Sequence, residues 1–223
     1  MRVEIINTGS ELLLGRLLNS HQQWLCRRLA DHGYPVDCQI AVPDTGTAIR
    51  DAVREVMERA DLIIVTGGLG PTSDDLTRDY IAGLLGKKLV KDSAIVERIR
   101  GFFTARRRTM PVNAHVQALV PEGGIVLHNA HGTAPGLALE TPRGGLLILL
   151  PGPPRELHPM FDEQAMPLIK QRFPHDSPFV CRTVRTSGLG ESFVEERISG
   201  LLKPFVESGM DLGYCAQIGR AHV

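Results

Sequence analysis

At 223 residues, the chain is long enough for one α/β core and a small second unit. Hydrophobic residues make up 43% and charged residues 22%, a composition typical of a globular protein rather than a disordered or fibrous one. The 25 basic residues balance the 25 acidic residues, which excludes a global basic field that would attract nucleic acid or an anionic membrane.

The sequence predicts that strands and helices alternate over the first 86 residues. We predict strands at 3–8, 36–42 and 62–65. A helix begins at Asn19 or Ser20 and ends at Gly33, another begins at Thr45 or Thr47, and a third covers 78–86. This alternation implies right-handed crossovers and a parallel sheet that helices cover on both faces.

The second half is predicted to be less regular. Asp92 or Ser93 caps a helix, and a short helix ends near Leu119. The predicted elements that follow are strands at 126–128, 137–140 and 146–150 and a helix at 155–172. Turn residues at 174–178 indicate a domain boundary, after which we expect a strand at 179–186. An amphipathic helix at 191–202 would turn Val194, Ile198 and Leu201 inward.

A glycine-rich turn after the third strand is the most informative motif. Its candidate ligand-binding residues are Thr66, Gly67, Gly68, Gly70, Pro71, Thr72 and Ser73. Glycines allow positive φ angles and let a phosphate approach backbone N–H groups, and a helix follows directly. The hydroxyls can donate to a ligand or cap that helix. The segment is not a Walker A motif, because no Gly-Lys-Ser/Thr follows.

Two adjacent carboxylates, Asp74 and Asp75, end the same turn. They are hard oxygen ligands suited to Mg²⁺ or Mn²⁺, and such an ion would bridge to a substrate phosphate. The alternative is that either aspartate complements the dipole of the following helix. Three glycines, two hydroxyls and two carboxylates together favour a site.

Further candidates follow the first two strands. Gly9, Ser10 and Glu11 lie at the carboxyl end of strand one, and Glu11 would face Asp74 and Asp75 if strands one and three are neighbours. Glu11 could then ligate metal or act as a general base, or it could cap a backbone turn. Asp44, after strand two, either holds a ribose hydroxyl or caps the next helix.

Two later turns are candidates for the rim of the same site. Pro151, Gly152 and Pro153 form a stiff turn after the last core strand, and Arg155 could neutralise phosphate or pair with an acid such as Glu156. A second turn contributes Gly132 and Thr133.

Other chemistries lack the residues they need. The histidines show no i, i+4 pair and no G-x-S-x-G motif is present, which argues against a zinc hydrolase and an acyl-transfer triad. The four cysteines form no C-x-x-C pair and fit a reducing compartment. The chain opens in a predicted strand, and no apolar run reaches membrane-spanning length. We expect a soluble, cytoplasmic protein.

Six motifs in order resemble the CinA (competence/damage-inducible) family, within the wider MogA/MoaB molybdopterin-binding superfamily. They are Gly9 to Gly15, then Asn19, then Thr66 to Thr77, then Asn113 with Gln117 and Ala118, then Gly132 to Gly136, and finally Pro151 to Leu157. The resemblance spans about residues 1–217. Ser10 stands where many pterin-branch relatives have Asp, as is typical of the CinA branch.

The resemblance implies a three-layer αβα domain with a mostly parallel sheet at 1–172 and a truncated KH-like α/β domain at 178–217. It implies metal-dependent hydrolysis of ADP-ribose to AMP and ribose 5-phosphate, with Glu11, Asp74 and Asp75 as catalytic residues and metal ligands. The metal would be Mg²⁺, Mn²⁺ or Co²⁺, with K⁺ as a further cofactor. We expect a homo-oligomer, most simply a dimer, and no nucleic-acid or membrane partner.

Two alternatives stay open, namely a non-catalytic module that binds molybdopterin or a nucleotide, and molybdopterin adenylylation. The nicotinamide mononucleotide deamidase domain of many relatives is missing from this sequence, so we do not expect that activity. Residues 218–223 resemble the translation of a sequencing-adapter oligonucleotide, and we predict that they are not native.

Overall fold

The structure is a computed structural model that describes residues 1–174 and 182–214. The chain divides into two units, Met1–Cys181 and Arg182–Val223, which are considered separately. The predicted linker at 174–178 ends three residues before this division, and all of it except residue 174 lies outside the described residues. The tail predicted at 218–223 also lies outside them.

The first unit alternates strands and helices in its amino-terminal half, as predicted. These elements are β1 (Val3–Thr8), α1 (Ser10–Leu13), α2 (Ser20–Asp31), β2 (Cys38–Val42), α3 (Gly46–Met57), β3 (Leu62–Thr66) and α4 (Thr77–Leu84). The Asn19 side chain caps α2 by accepting a hydrogen bond from the backbone N–H of Gln22.

The carboxyl-terminal half of this unit completes the sheet and adds a small one. Its elements are β4 (Leu89–Lys91), α5 (Ser93–Ala105), a 3-10 helix (Val112–Ala118), β5 (Leu119–Pro121), β6 (Ile125–Leu127), β7 (Gly136–Glu140), β8 (Leu146–Leu150), α6 (Pro154–Met160), a π-helical turn (Phe161–Ala165) and α7 (Met166–Arg172). The Asp92 side chain caps α5. The sequence did not predict β4 and β5, which pair antiparallel.

The main sheet has six strands in the order β2-β1-β3-β8-β7-β6. The first four are mutually parallel, whereas β7 and β6 run antiparallel to their neighbours. The mostly parallel sheet is therefore confirmed. Strands β1 and β3 are neighbours, with Asn7 opposite Thr66, so the segments that follow them leave the sheet side by side.

Helices cover both faces of the sheet, which confirms the three-layer fold. Alternate residues of each central strand pack into opposite cores: Ile6 and Val65 face the core formed with α3, α4 and α5. Ile5 and Ile64 face the other core, which α2, α6 and α7 complete. Both faces are apolar because parallel strands covered on both sides expose neither face to water.

The predicted helix at 155–172 is present but is not α-helical throughout, because the π-helical turn separates α6 from α7.

In the second unit, the part of the predicted strand that is described, 182–186, is not a strand. The remaining predicted strand residues, 179–181, lie outside the described residues.

The helix predicted at 191–202 is present in the second unit and extends further, as α8 (Glu191–Glu207). Leu201 is 72% exposed rather than turned inward, so that part of the prediction is wrong. Val194 and Ile198 are half-buried. The KH-like fold stays a prediction. No helix among the described residues is both long and apolar enough to cross a membrane.

Close packing of α3 on α4 yields a stability prediction. A Cβ atom at Gly46 would overlap the ring of Tyr80, whereas a Cβ at Gly83 would meet nothing within 4 Å. We expect Gly46→Ala to lower the free energy of unfolding by about 1–3 kcal/mol through overpacking. Gly83→Ala, at an exposed position in the last turn of α4, should instead raise it by roughly 0.4–1 kcal/mol. Urea denaturation measures both, and equal effects would contradict this account of the packing.

Candidate functional site

A cleft of about 410 Å³ lies where the segments after β1, β2, β3 and β8 meet. Ligands bind at this carboxyl edge in open α/β sheets, and the volume is that of a small-molecule site. The predicted residues that line it are Glu11, Asp44, Gly67, Gly68, Gly70, Pro71, Asp74, Asp75, Thr133, Pro151, Gly152 and Pro153. The turns predicted separately from the sequence therefore share one cleft.

Other predicted residues lie beside the cleft rather than in its lining. These are Gly9, Ser10, Thr66, Thr72, Ser73, Gly132 and Arg155. The side chain of Arg155 is 77% exposed, and its Nε lies 3.8 Å from Glu156 Oε1. Gly132 lies directly behind the Glu156 carboxylate, which would overlap a Cβ placed there.

The glycine turn is held in a conformation that suits glycine. Gly67 and Gly68 have φ angles of +96° and +66°, in the left-handed region. The Gly67 N–H donates to the Leu150 carbonyl at 2.9 Å, and the Gly68 carbonyl accepts from the Thr77 N–H at 3.1 Å. A Cβ at Gly68 would overlap the Thr77 hydroxyl. These contacts anchor both ends of the turn to the sheet and to α4.

Three successive backbone N–H groups of this turn are free to bind a ligand. Among the described residues, those of Gly68, Leu69 and Gly70 donate to no protein acceptor. All three residues line the cleft. Unsatisfied amides in a glycine-rich turn before a helix form the arrangement that binds anions in other α/β proteins.

The two aspartates lie together in the same turn, before α4 begins. The Thr72 hydroxyl contacts both carboxylates, and the Thr72 N–H donates to Asp75 Oδ2 at 3.0 Å. The hydrogen bond from the Thr72 side chain, with one from the Asp74 backbone, holds the pKa of the Asp74 carboxyl below its ordinary value. Asp74 is therefore ionised at neutral pH. The acid in the first turn of α4 is Asp79, so neither cleft aspartate occupies the helix-dipole position.

Asp44 joins the segments that follow β1 and β2. Its carboxylate accepts a hydrogen bond from the Ser10 N–H at 2.7 Å, and its own N–H donates to the Ser10 hydroxyl at 3.2 Å. The residue that caps α3 is Thr45, without a side-chain hydrogen bond, so Asp44 does not act as the alternative helix cap. Asp44 fixes the start of α1, from which the exposed Glu11 side chain reaches the cleft.

A buried carboxylate completes the wall beside the Pro151–Pro153 turn. Glu156 is 8% exposed, and its Oε2 accepts a hydrogen bond from the Asn129 side chain at 2.7 Å. The same Asn129 amide donates to the Ala134 carbonyl at 2.8 Å. Glu156 therefore fixes the loop that carries Thr133 against the start of α6.

A histidine supports the proline turn from behind. Burial lowers the pKa of His21, and repulsion from His158 adds to this effect, while a hydrogen bond with the Gly152 backbone opposes it. His21 is thus neutral at physiological pH. The ring of His158 in turn stacks on Trp24, with centroids 3.9 Å apart.

Sequence reasoning did not predict five residues of the cleft lining, namely Thr8, Leu69, Gln117, Ala134 and Glu156. Gln117 and Glu156 belong to the motifs that carry the family resemblance, which is the signal that could have identified them. Their residue types alone indicated no role, because an amide or a carboxylate on an aperiodic segment is most often solvated.

The donor set of the cleft fits a divalent cation that is shared with a ligand. The carboxylates of Asp74, Asp75, Glu11 and Glu156 are hard oxygen donors. Within the described part of the chain, however, no three His, Cys, Asp or Glu side chains are grouped closely enough to hold a metal by themselves. A cation held here would need further ligands from waters or substrate phosphate, which Mg²⁺ commonly takes beside one or two carboxylates.

A second pocket of about 340 Å³ shares Thr133 with the cleft. Ile95, Ile99 and Phe102 of α5 give it an apolar wall, and Arg98 adds a positive charge. It contains no carboxylate, so the chemistry inferred from the glycine turn belongs to the cleft.

Comparisons with known proteins agree with this fold. The family model described as "Probable molybdopterin binding domain" matches residues 4–171. A "CinA-like protein" of Akkermansia muciniphila is 43% identical to the chain, over all of this chain and 53% of that protein. A "Putative competence-damage inducible protein" of Moorella thermoacetica is 44% identical, over 91% of this chain and 49% of that protein. The chain thus spans about half the length of these relatives.

Solved structures have the same fold. The protein CinA of Thermoplasma acidophilum, described as of unknown function, is 30% identical, with a TM-score of 0.68 over 75% of this chain and 98% of that one. The molybdopterin biosynthesis enzyme MoaB of Thermus thermophilus is 22% identical, with a TM-score of 0.50 over 77% of this chain and 95% of that one. The second likeness extends to the fold alone.

Proposed function

The chain belongs to the CinA family, and from this premise we propose that its cleft binds ADP-ribose or a related nucleotide with a divalent cation and hydrolyses the pyrophosphate bond. The products would be AMP and ribose 5-phosphate. One observation carries the proposal: free backbone N–H groups and two adjacent aspartates line the same cleft at the carboxyl edge of the sheet. Amides bind phosphate oxygens, and carboxylates bind the cation that accompanies a diphosphate.

The glycine turn supplies the phosphate contacts. The N–H groups of Gly68, Leu69 and Gly70 would donate to non-bridging oxygens of the diphosphate, where the missing glycine side chains allow close approach. Their orientation is fixed in advance by the hydrogen bonds at Gly67 and Gly68. Fixed donors stabilise the charge that develops on the leaving phosphate without reorganising during the reaction.

The carboxylates hold the cation and the attacking water. Asp74 and Asp75 would bind Mg²⁺, Mn²⁺ or Co²⁺, which when bound neutralises diphosphate charge and lowers the pKa of water. Thr72 fixes both aspartates through its hydroxyl. Glu11, which is exposed at the cleft, would accept a proton from water as a general base. The Pro151–Pro153 turn would exclude solvent from one side.

Incubation of the purified chain with ADP-ribose and each cation, followed by chromatography of the products, tests the proposal. We expect AMP and ribose 5-phosphate in equal amounts with Mg²⁺, Mn²⁺ or Co²⁺, and none after chelation with EDTA. Saturable binding without AMP release would instead favour a nucleotide- or molybdopterin-binding module. Pterin-dependent consumption of ATP would favour adenylylation, a reading supported by the match to the molybdopterin-binding family.

A further inference from the structure

Gln117 is a buried polar residue in the wall of the cleft that has no structural partner for its carbonyl oxygen. It lies near the end of the 3-10 helix (Val112–Ala118) and is 2% exposed. Its side-chain Oε1 accepts no hydrogen bond from the described part of the protein. Buried amide oxygens are nearly always satisfied, because losing water without gaining a donor is costly. Either an ordered water or a ligand can supply the missing donor, and because Gln117 lines the cleft, a ligand bound there is the donor that we consider.

The 3-10 helix is fixed to the glycine turn, which gives Gln117 a defined place relative to the phosphate site. The Asn113 side chain, four residues earlier, donates a hydrogen bond to the Pro71 carbonyl at 3.0 Å. Pro71 and Gln117 both line the cleft. A ligand that binds at the turn therefore meets an amide in a set position, and the ordering cost of that contact is already met by the fold.

The chemistry of the orphaned atom excludes phosphate as its partner. A carbonyl oxygen only accepts hydrogen bonds, and a nucleotide diphosphate at neutral pH offers acceptors and negative charge but no donor. The partner is therefore an N–H group, an O–H group or a cation. ADP-ribose carries donor groups on its nucleoside part, as the exocyclic amine of adenine and the ribose hydroxyls, and on its terminal ribose.

We infer that Gln117 determines specificity by accepting a hydrogen bond from the nucleoside part of the bound nucleotide. This inference rests on the proposed function, since it takes a nucleotide as the ligand of the cleft. Gln117 would then distinguish nucleotides by the hydrogen-bond donors of their nucleoside part rather than by their phosphates. Sites that hydrogen-bond a donor on the substrate reject analogues lacking it, because the buried protein group is then left unpaired.

Binding measurements by titration calorimetry with Gln117→Met test this inference. Methionine has nearly the same length and no strong acceptor, and Gln23→Met provides the same exchange on the exposed side of α2. The ligands are ADP-ribose with Mg²⁺, its inosine analogue, which replaces the amine by a carbonyl, and its 2′-deoxy and 3′-deoxy adenosine analogues. We expect Gln117→Met to weaken ADP-ribose binding about tenfold and Gln23→Met to leave it unchanged.

The analogues identify which donor Gln117 meets. The analogue that lacks this donor should bind wild type about tenfold more weakly than ADP-ribose, and should bind wild type and Gln117→Met equally well. Weaker binding of the inosine analogue by wild type would identify the base amine as the donor. Weaker binding of a deoxy analogue would identify the missing ribose hydroxyl as the donor. Unchanged ADP-ribose binding by Gln117→Met, or equal weakening of all four ligands, would overturn the inference.

Measurements of melting temperature and turnover distinguish a specificity role of Gln117 from a structural role and from the proposed hydrolase activity. Gln117 makes no internal hydrogen bond through Oε1, so Gln117→Met should keep or raise the melting temperature. A lowered melting temperature together with weaker binding would indicate a structural role and overturn the inference. Gln117-dependent binding without AMP release would refute the hydrolase and leave the inference intact. Failure of wild type to bind ADP-ribose would refute both.

Discussion

Replacement of both Asp74 and Asp75 by asparagine is expected to lower ADP-ribose hydrolysis about a thousandfold or more. A bound cation contributes several kcal/mol of charge stabilisation in the transition state, and the neutral amides would not retain it. The shape of the turn should survive, because an asparagine oxygen can still accept the hydrogen bonds that Thr72 donates. The measurement is kcat/KM for AMP release at saturating Mg²⁺.

Asp51→Asn is the matched control for that variant. Asp51 is an exposed aspartate on α3, paired with Arg50 and Arg54 and outside the cleft lining. It should leave turnover unchanged. Undiminished hydrolysis by the double variant would show that the aspartates are not part of the mechanism.

Since the pKa of Asp74 lies below its ordinary value of 3.8, acidification from pH 7 to pH 5 should not reduce activity through this residue.

Gly68→Ala is expected to lower turnover about a hundredfold by displacing the phosphate-binding turn. Gly68 has a φ of +66°, and a Cβ there would overlap the Thr77 hydroxyl, which is fully buried at the start of α4. Because Thr77 cannot move away into solvent, the turn itself must shift. A shift of about 1 Å in a positioned group can cost about a hundredfold in rate. The measurement is AMP release together with ADP-ribose affinity.

Gly86→Ala separates the displacement of the turn from backbone strain. Gly86 follows α4 with a φ of +63°, nearly that of Gly68, but a Cβ there would meet nothing within 4 Å. Both variants should lose about 1–2 kcal/mol of stability from the left-handed conformation. Only Gly68→Ala should lose activity. Equal loss of activity in the two variants would show that the glycine turn does not position the ligand.

The sequence predicts the main sheet well because its signals are local. Buried parallel strands are short apolar runs, and the helices between them carry clear caps, as at Asn19 and Asp92. The short strands β4 and β5 were missed because each has only three residues and pairs with a strand about 30 residues away. The π-helical turn at Phe161–Ala165 contains no unusual residue type of its own, although Pro159 and Pro167 lie on either side of it.

The cleft was predictable where its chemistry lies in one contiguous turn, and less so where it depends on packing between distant segments. The turn from Gly67 to Asp75 is recognisable from its composition of glycines, hydroxyls and carboxylates. Glu156 lines the cleft and accepts a hydrogen bond from Asn129, which is 27 residues earlier in the chain. Gln117 likewise depends on burial by distant segments, which a 3-10 helix without periodicity does not reveal.

Anomalous diffraction from crystals of the chain grown with Mn²⁺ and ADP-ribose would test the central claim most directly. The account predicts one manganese peak in the cleft, in contact with Asp74 or Asp75 and with the diphosphate, whose oxygens lie against the Gly68–Gly70 amides. A nucleotide bound on any other surface, or one bound in the cleft with manganese away from both aspartates, would contradict it.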